Sequence, residues 1–213
     1  MTQVEPAARR GSIRRAGRRK VQVLEAAGRV IAERGADATR FADVAAESGV
    51  PVSTLQYYFG SREDLLVAAF RHASSTQVAV LEAELAALAD PWERLTRVIT
   101  RALSDYQPPG PQSGRLWIES WHFGIRDAEM RADALRDYAA WRRVVADAVR
   151  AGTELGRFRP RLAPERIAAL TIAMADGLGI PLALGDPEVS FAGATADVLA
   201  ALAALLGLPA PPS

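Results

Sequence analysis

Residues 41–66, FADVAAESGVPVSTLQYYFGSREDLL, contain the pattern that decides how this chain of 213 residues folds. A short amphipathic helix is expected first, followed by a glycine turn and a second short helix. Ala45 is small enough to let the two helices cross closely, and Gly49 can adopt the left-handed backbone that ends the first helix. Val44 and Leu55 would close the core between them. The spacing therefore predicts a helix-turn-helix or an ordinary helical hairpin.

The outer face of the second helix favours the helix-turn-helix. Its small polar and aromatic side chains suit phosphates and base edges in the major groove, whereas an idle solvated helix more often carries Glu and Lys. Arg62 follows within one turn of the next helix, and we expect its guanidinium to hold a phosphate. The predicted DNA contacts are Lys20, Thr39, Arg40, Val52, Ser53, Thr54, Gln56, Tyr57, Tyr58 and Arg62.

Residues 20–69 resemble the DNA-binding domain of the TetR family of repressors. The matching positions are Gly35, Thr39, Val44-Ala45, Ser48-Gly49-Val50, Thr54-Leu55, Tyr57-Tyr58-Phe59 and Ser61-Arg62-Glu63-Asp64-Leu65. The resemblance implies binding to double-stranded operator DNA. The chain departs from the family at Gln56, where the family most often has a tyrosine that binds a phosphate. Glutamine can donate to a phosphate or pair with an adenine through two hydrogen bonds, so both roles are open.

Positive charge is concentrated ahead of this motif. Residues 1–60 carry ten Lys or Arg and six Asp or Glu, whereas residues 61–213 carry sixteen and nineteen. Within residues 1–20, seven basic residues accompany one acidic residue, Glu5. We expect residues 1–17 to form a disordered basic arm that follows phosphates or enters a minor groove, with a solubilising tail as the alternative.

The rest of the chain is predicted to be helical, because no segment shows sustained alternation of apolar and polar residues. Expected helices cover residues 18–34, 61–89, 115–125, 127–152, 164–183 and 187–206, and another begins at residue 91. Ser61 with Asp64 predicts a capping box, and Asp90 and Asp186, each followed by proline, predict helix starts. The predicted fold is all-α, with about nine helices.

The last two of these helices are more apolar than one small domain can cover. Their stripes are Ile167, Leu170, Met174 and Leu178 on the first, and Phe191, Val198, Leu202 and Leu205 on the second. A two-fold four-helix interface with a second copy would cover them, whereas a buried hairpin is the alternative. The TetR resemblance also implies dimers, which place two recognition helices roughly 34 Å apart on a pseudo-palindromic operator. We therefore expect a homodimer.

A second resemblance covers most of residues 80–206. Residues 116–119, 127–142, 156–159 and 175–178 resemble the effector domain of the BetI-like branch of the TetR family. This second resemblance implies a small-molecule pocket between helices. Together, the two resemblances imply a three-helix DNA-binding domain at residues 18–65, and a helical domain for effector binding and dimerisation at residues 66–213. The candidate pocket residues are Tyr106, Trp117, Glu119, Trp121, His122, Phe123, Tyr138, Trp141, Met174 and Asp176.

The chemistry of these residues leaves the effector class open. Trp117 and Trp121 lie four residues apart, so they share one face of a helix. With a carboxylate they could bind an organic cation, such as a quaternary ammonium or a polyamine, while the same walls would suit a neutral apolar or aromatic compound. Plain core packing is the third reading of the tryptophan pair.

Composition and motifs argue against other classes. The chain has no cysteine, which excludes disulfides and thiolate metal sites, and no apolar run of the roughly 20 residues that cross a membrane. It has two histidines and lacks the common nucleotide-binding, hydrolase and metalloprotease motifs, so we expect no enzyme, metal or cofactor. The prediction is a cytoplasmic, nucleoid-associated bacterial regulator that acts as a ligand-released repressor. An activator of the same fold and a helical interaction protein without DNA are the alternatives.

Overall fold

The structure is a computed structural model that describes residues 7–106 and 113–209. Within these ranges the chain forms helices and no strands, which confirms the all-α prediction. The helices are α1 (Ala7–Arg34), α2 (Phe41–Ser48), α3 (Val52–Phe59), α4 (Arg62–Ala86), α5 (Pro91–Ser104), α6 (Ser113–Arg126), α7 (Ala128–Glu154), α8 (Pro164–Leu184) and α9 (Phe191–Leu205). The chain divides into two compact units after Ser75, within α4. This division falls later than the boundary expected after residue 65.

The basic segment ahead of the motif differs from the expectation. Helix α1 begins at Ala7, so residues 7–17 are helical and not a disordered arm, and residues 1–6 lie outside the described residues. Alanine and arginine are strong helix formers, and extending an existing helix costs less than starting a new one. Further along, α1 buries the predicted inward residues, which are Val23, Leu24, Ala27, Val30 and Ile31.

The two short helices of the first unit pack as their spacing predicts. Gly49 ends α2 with φ 67° and ψ 17°, and its N–H donates to the carbonyl of Ala45 at 3.0 Å. Val44 and Leu55 are fully buried, which confirms the core between the helices. The capping box predicted for Ser61 and Asp64 forms only in part. The Ser61 Oγ accepts from the backbone N–H of Asp64 at 3.0 Å, but the Ser61 N–H donates to the carbonyl of Phe59 at 2.9 Å and not to the Asp64 carboxylate.

The second unit is built around α7, which packs against α5, α6 and α8, while α9 packs against α5 and α8. Asp90 caps α5 as predicted, because its Oδ1 accepts from the backbone N–H of Trp92 at 2.7 Å. The predicted start of the last helix at residue 187 is wrong. Ser190 caps α9, and Asp186 instead accepts from the backbone N–H of Glu188 within a turn.

Three of the predicted dimer-interface residues are buried inside this chain and cannot form a contact surface. The core between α5, α7, α8 and α9 contains Ile167, Val198 and Leu202. The prediction failed for these three residues because the side of each helix that faces the core is apolar too, and the sequence pattern does not distinguish it from an interface. The other five are partly exposed, and they are Leu170, Met174, Leu178, Phe191 and Leu205. The expectation that no apolar run is long enough to cross a membrane is wrong for α8, the one helix among the described residues with that length and composition. This helix packs against α7 and α9 in the second unit.

Candidate functional site

Helix α3 presents a polar and aromatic surface, which we call the recognition face. It consists of six residues predicted to contact DNA, namely Val52, Ser53, Thr54, Gln56, Tyr57 and Tyr58. Ser53, Gln56 and Tyr57 are exposed on one side of the helix, and 85% of Tyr57 is accessible to solvent. Hydroxyl and amide groups both donate and accept hydrogen bonds, so this face can contact phosphates as well as base edges.

Two of the predicted DNA contacts have structural roles instead. Thr39 is fully buried, and its hydroxyl donates to the carbonyl of Gly35 at 2.9 Å. Arg62 donates from Nε to the carbonyl of Thr39 at 2.7 Å and from Nη2 to the carbonyl of Ala36, while Nη1 lies 3.0 Å from the Glu63 carboxylate. The Arg62 guanidinium therefore fastens the segment between α1 and α2 to the start of α4. The prediction of a phosphate contact overlooked these carbonyls.

The two other predicted basic contacts are exposed. The Lys20 ammonium lies 5.5 Å from the centre of the Phe59 ring, within reach of a cation–π interaction. Arg40 lies at the start of α2, and its guanidinium donates to the carbonyl of Asp37 at 2.9 Å. Both side chains remain at the surface, so both can still approach a phosphate.

The second unit contains a cavity that we call the aromatic cavity. Its empty space is about 450 Å³, including the part open to solvent. Its lining residues come from α5, α6, α7 and α8 and from the segment after α5. They are Ala102, Asp105, Tyr106, Trp117, Trp121, Tyr138, Trp141, Ile172, Ala175 and Asp176.

The aromatic side chains of the cavity form a continuous wall. The Trp117 and Trp121 ring centres lie 6.3 Å apart, and the Trp121 ring stacks on Tyr138 at 6.0 Å with an angle of 25° between the planes. The Arg142 guanidinium lies 5.2 Å from the Tyr138 ring centre. The tryptophan pair therefore borders a cavity and is not plain core packing.

Two carboxylates of the cavity lie in an environment that disfavours their charge. Burial raises the pKa of Asp105 to about 6, although the nearby Arg101 acts in the opposite direction. Burial also raises the pKa of Asp176, which accepts a hydrogen bond from the Tyr138 hydroxyl at 2.7 Å. None of the described lining residues is basic. A positively charged ligand would offset the cost of both charges.

Two polar atoms of the cavity residues lack a hydrogen-bond partner among the described residues. They are Oδ1 of Asp105, which is an acceptor, and Nε1 of Trp121, which is a donor. Asp105 is only 4% exposed, so its second oxygen is also shielded from bulk water. An unpaired buried polar atom costs free energy, and a ligand with polar groups could satisfy both atoms.

The structure brings six of the ten predicted pocket residues together, and Glu119, His122, Phe123 and Met174 do not line the cavity. The reason is helix geometry. Glu119, His122 and Phe123 share α6 with the tryptophan pair but project from its other sides, since each residue turns the helix by about 100°. Met174 faces away from Asp176 on α8 for the same reason. His122 is exposed and contacts Arg126 one turn further along.

Sequence reasoning missed four lining residues. Ala102, Ile172 and Ala175 are apolar side chains that a motif search has no reason to select. Ile172 could have been found from Asp176, because it lies four positions earlier on the same helix face, and Ala175 lies three positions after Ile172. Asp105 precedes Tyr106 directly, but an aspartate after a helix usually indicates a solvated loop.

Comparison with known proteins connects both sites to one family. The family of bacterial regulatory proteins of the tetR type matches residues 23–69, and the C-terminal domain of BetI-type transcriptional repressors matches residues 91–207. The HTH-type transcriptional regulator BetI of Burkholderia ambifaria is 28% identical over 171 residues, which cover 79% of this chain and 84% of that protein.

Solved structures of similar proteins have the same fold. A transcriptional regulator from Saccharomonospora viridis, in complex with choline, is 29% identical with a TM-score of 0.77 and covers 84% of this chain and 92% of its own. A TetR-family regulator from a Rhodococcus species is 28% identical with a TM-score of 0.74, over 88% and 98%. FadR from Bacillus subtilis, in complex with stearoyl-CoA, shares the fold at 20% identity and a TM-score of 0.71, over 88% and 98%. The chain therefore belongs to the TetR family of DNA-binding transcription regulators, with a BetI-type C-terminal domain.

Proposed function

We propose that this regulator is a homodimeric repressor that works in the bacterial cytoplasm and nucleoid. An organic cation would release it from its operator. The observation that carries the effector class is a pair of carboxylates, the buried Asp105 and the half-buried Asp176, in a cavity walled by aromatic rings. Aromatic faces attract quaternary ammonium groups, and the carboxylates supply the opposite charge. The sequence left cations and neutral compounds open, and the two carboxylates favour the cation.

The polarity of the cavity favours small quaternary ammonium compounds within this class, because its described lining combines aromatic rings with two carboxylates and no basic side chain. The regulator from S. viridis, at 29% identity, binds choline, which supports the same class here. The unpaired Oδ1 of Asp105 and Nε1 of Trp121 would suit a ligand with a hydroxyl group beside its charge.

Thermal unfolding with matched ligands tests the effector class. Choline is compared with its uncharged carbon isostere 3,3-dimethyl-1-butanol and with tetramethylammonium. A ligand present at 100 times its Kd stabilises the folded protein by about 2.7 kcal/mol, which raises Tm by roughly 5–10 °C for a chain of this size. We expect this rise with choline and not with the isostere. A rise with neutral hydrophobic compounds alone would overturn the cation proposal.

The dimer proposal rests on the surfaces of α8 and α9 that the chain leaves uncovered. On α8 the exposed residues recur every three or four positions, at Ala173, Gly177, Ile180 and Leu184, and Ile180 and Leu184 are 46% and 80% exposed. On α9 the exposed stripe is Ala192, Ala196, Ala200 and Ala204. Small residues on one helix and large ones on the other allow close packing of four helices around a two-fold axis.

A charged substitution in this stripe tests the dimer. Ala196→Arg places a charge in the proposed interface, and Ala132→Arg, on an exposed position of α7, is the matched control. Sedimentation equilibrium should show a monomer for the first variant and a dimer for the control and the wild type. A wild-type monomer at micromolar concentration would contradict the proposal.

DNA binding requires the recognition face, and we propose that the basic start of α1 adds sequence-independent affinity. The effector would lower DNA affinity by the ratio of its affinities for the DNA-competent and DNA-incompetent states of the dimer. Footprinting of the upstream region identifies the operator, and gel-shift titrations across salt concentrations measure the phosphate contacts. Deleting residues 1–17 should weaken binding to all sequences and flatten the salt dependence. An unchanged salt slope would assign the segment no DNA contact.

A further inference from the structure

Gln77 lies behind the wall of the aromatic cavity and is hydrogen-bonded to two of its lining residues. Its Nε2 donates to Oδ2 of Asp105 at 2.7 Å, and its Oε1 accepts from Nε1 of Trp117 at 2.7 Å. Gln77 belongs to α4, Asp105 follows α5, and Trp117 lies in α6. One half-buried amide group therefore joins three elements of the second unit without lining the cavity itself.

The two hydrogen bonds fix the orientation of this amide. The indole N–H of Trp117 can only donate, and an ionised Asp105 can only accept. A flipped amide would place N–H against N–H and oxygen against oxygen, so both bonds would be lost together. The positions of the indole ring, the carboxylate and α4 at residue 77 are thus linked through one side chain.

Both hydrogen-bond partners of Gln77, Asp105 and Trp117, are groups that would attract a cation in the cavity. Asp105 carries the charge, and its Oδ1 is without a partner in the described part of the chain. Trp117 offers an aromatic ring to the same space. Because the ligand and Gln77 contact the same two side chains, a ligand that shifts either one must also shift the preferred position of the amide.

We propose that Gln77 is the positioning residue that couples occupancy of the aromatic cavity to α4, and hence to DNA affinity. The inference rests on the proposed binding of an effector in that cavity. Helix α4 is continuous from Arg62 to Ala86, so a displacement at residue 77 acts on the same hydrogen-bonded helix that begins at Arg62. At that start, Arg62 holds the backbone ahead of α2.

The first test measures the coupling between choline and operator DNA. Gln77→Met keeps a chain of similar length and removes both hydrogen bonds, and Val80→Thr, at an exposed position of the same helix, is the control. The coupling is the ratio of DNA Kd values with and without saturating choline. We expect Gln77→Met to reduce this ratio about tenfold, because the ratio is measured at saturating choline and is independent of any change in choline affinity alone. An unchanged ratio in Gln77→Met would overturn the proposal.

A double substitution separates coupling from a general structural role. Gln77→Glu with Asp105→Asn reverses donor and acceptor, because the glutamate can accept from both Trp117 and the new amide. Choline affinity should fall, since the carboxylate has left the cavity wall, but the coupling ratio should recover toward the wild-type value. A double variant that folds and binds both ligands without recovering the ratio would count against the hydrogen bonds as the cause.

The second test needs no effector. The indole N–H resonance of Trp117, assigned with Trp117→Phe, is followed by ¹⁵N NMR while operator DNA is added. Because coupling is reciprocal, DNA should move this resonance in the wild type and not in Gln77→Met. If choline fails to bind the wild type, the cation proposal fails, but this measurement still decides the role of Gln77. A resonance that does not move, or moves equally in both proteins, refutes the coupling.

Discussion

The recognition face and the aromatic cavity differ in how the chain builds them. The recognition face lies on one helix of eight residues, and its exposed side chains are ready to exchange water for DNA. The cavity takes residues from position 102 to position 176, and of its two carboxylates Asp105 is buried and Asp176 is half-buried. The recognition face is built from one short segment and is exposed to solvent, whereas the aromatic cavity is assembled from distant segments and is largely buried.

This difference decides what each site costs the folded protein. Exposed polar groups such as Gln56 cost little before DNA arrives, because water satisfies them. A buried charged group such as Asp105, with one oxygen unpaired among the described residues, lowers the free energy of unfolding. We therefore expect substitutions on the recognition face to change function alone, and neutral replacements of a cavity carboxylate to weaken function while raising stability.

The largest expected effect comes from Arg62, which is an exception in the DNA-binding unit. Arg62→Met removes the guanidinium and leaves the Thr39 carbonyl without this donor, whereas the Ala36 carbonyl still accepts from the backbone N–H of Thr39 at 3.3 Å. An unsatisfied carbonyl costs about 1–3 kcal/mol and a lost hydrogen bond about 1 kcal/mol, so we expect the free energy of unfolding to fall by about 2–4 kcal/mol. DNA affinity should fall with it. Urea unfolding followed by circular dichroism measures the change.

The neighbour Glu63 provides the control for that experiment. Glu63→Gln removes only the exposed ion pair with Arg62, where 61% of the Glu63 side chain is accessible, and exposed pairs contribute little. If Arg62→Met leaves stability unchanged and makes the salt dependence of DNA binding shallower, then Arg62 contacts a phosphate, as expected from the sequence.

Asp105→Asn should stabilise the empty protein at high pH. Because burial raises the pKa of Asp105 to about 6, the folded state binds its proton more tightly than the unfolded state. Ionisation above pH 6 therefore costs stability, and this cost fades as the pH falls toward 4. An asparagine does not ionise, so the variant should gain up to about 3 kcal/mol at pH 8 and little at pH 4. Thermal unfolding across this range measures the difference, and a loss of stability at pH 8 would refute the argument.

A smaller effect is expected from Gly179→Ala on α8. A methyl group there would lie 2.6 Å from the Tyr106 ring, so the ring must leave its place in the cavity wall. We expect choline affinity to fall about tenfold, with a stability loss of about 1–3 kcal/mol from overpacking. Isothermal titration calorimetry provides the affinity.

Gly124→Ala on α6 is the matched substitution for that measurement. Its methyl group would meet the backbone of Arg131 at 3.5 Å, an ordinary contact. Choline affinity should therefore stay at the wild-type value. Equal losses in the two variants would show that the helices respond to any added methyl group.

The smallest effect is expected from Gln56→Ala, because it concerns a single base pair at most. If Gln56 pairs with an adenine, discrimination at one operator position should fall by about 1–3 kcal/mol, with no change in stability. Binding to a set of operators with single substitutions measures it, and Ser53→Ala is the neighbouring control. Uniform weakening across the set would assign Gln56 to a phosphate.

Local spacing was sufficient to predict the helix-turn-helix, because its core pairs, cap and glycine turn all lie within 26 residues. Residue type was not sufficient for Thr39 and Arg62. Both are common phosphate ligands, but here the nearby carbonyls of Gly35, Ala36 and Thr39 take their donors. Whether a donor meets DNA or backbone depends on the path of the chain between helices, which no local pattern specifies.

The cavity was predictable only in part, because local spacing does not specify how distant segments of the chain pack. Trp117 and Trp121 share a helix face, so their proximity follows from sequence spacing. Gln77 meets Asp105 across 28 residues and Trp117 across 40, and only the packing of α4, α5 and α6 brings them together. Glu119 and His122 were wrongly predicted to line the cavity. Both lie in α6 with the tryptophan pair, but a position in a helix does not by itself specify which side of the helix the residue faces.

The aromatic wall also gives the protein an optical property. Three of its four tryptophans line the cavity, namely Trp117, Trp121 and Trp141. A ligand bound in the cavity would therefore lie beside three of the four tryptophans, while Trp92 does not line it. If the proposed cation binds there, it should change the surroundings of these three side chains at once, and the intrinsic fluorescence of the native sequence should report the occupancy of the cavity.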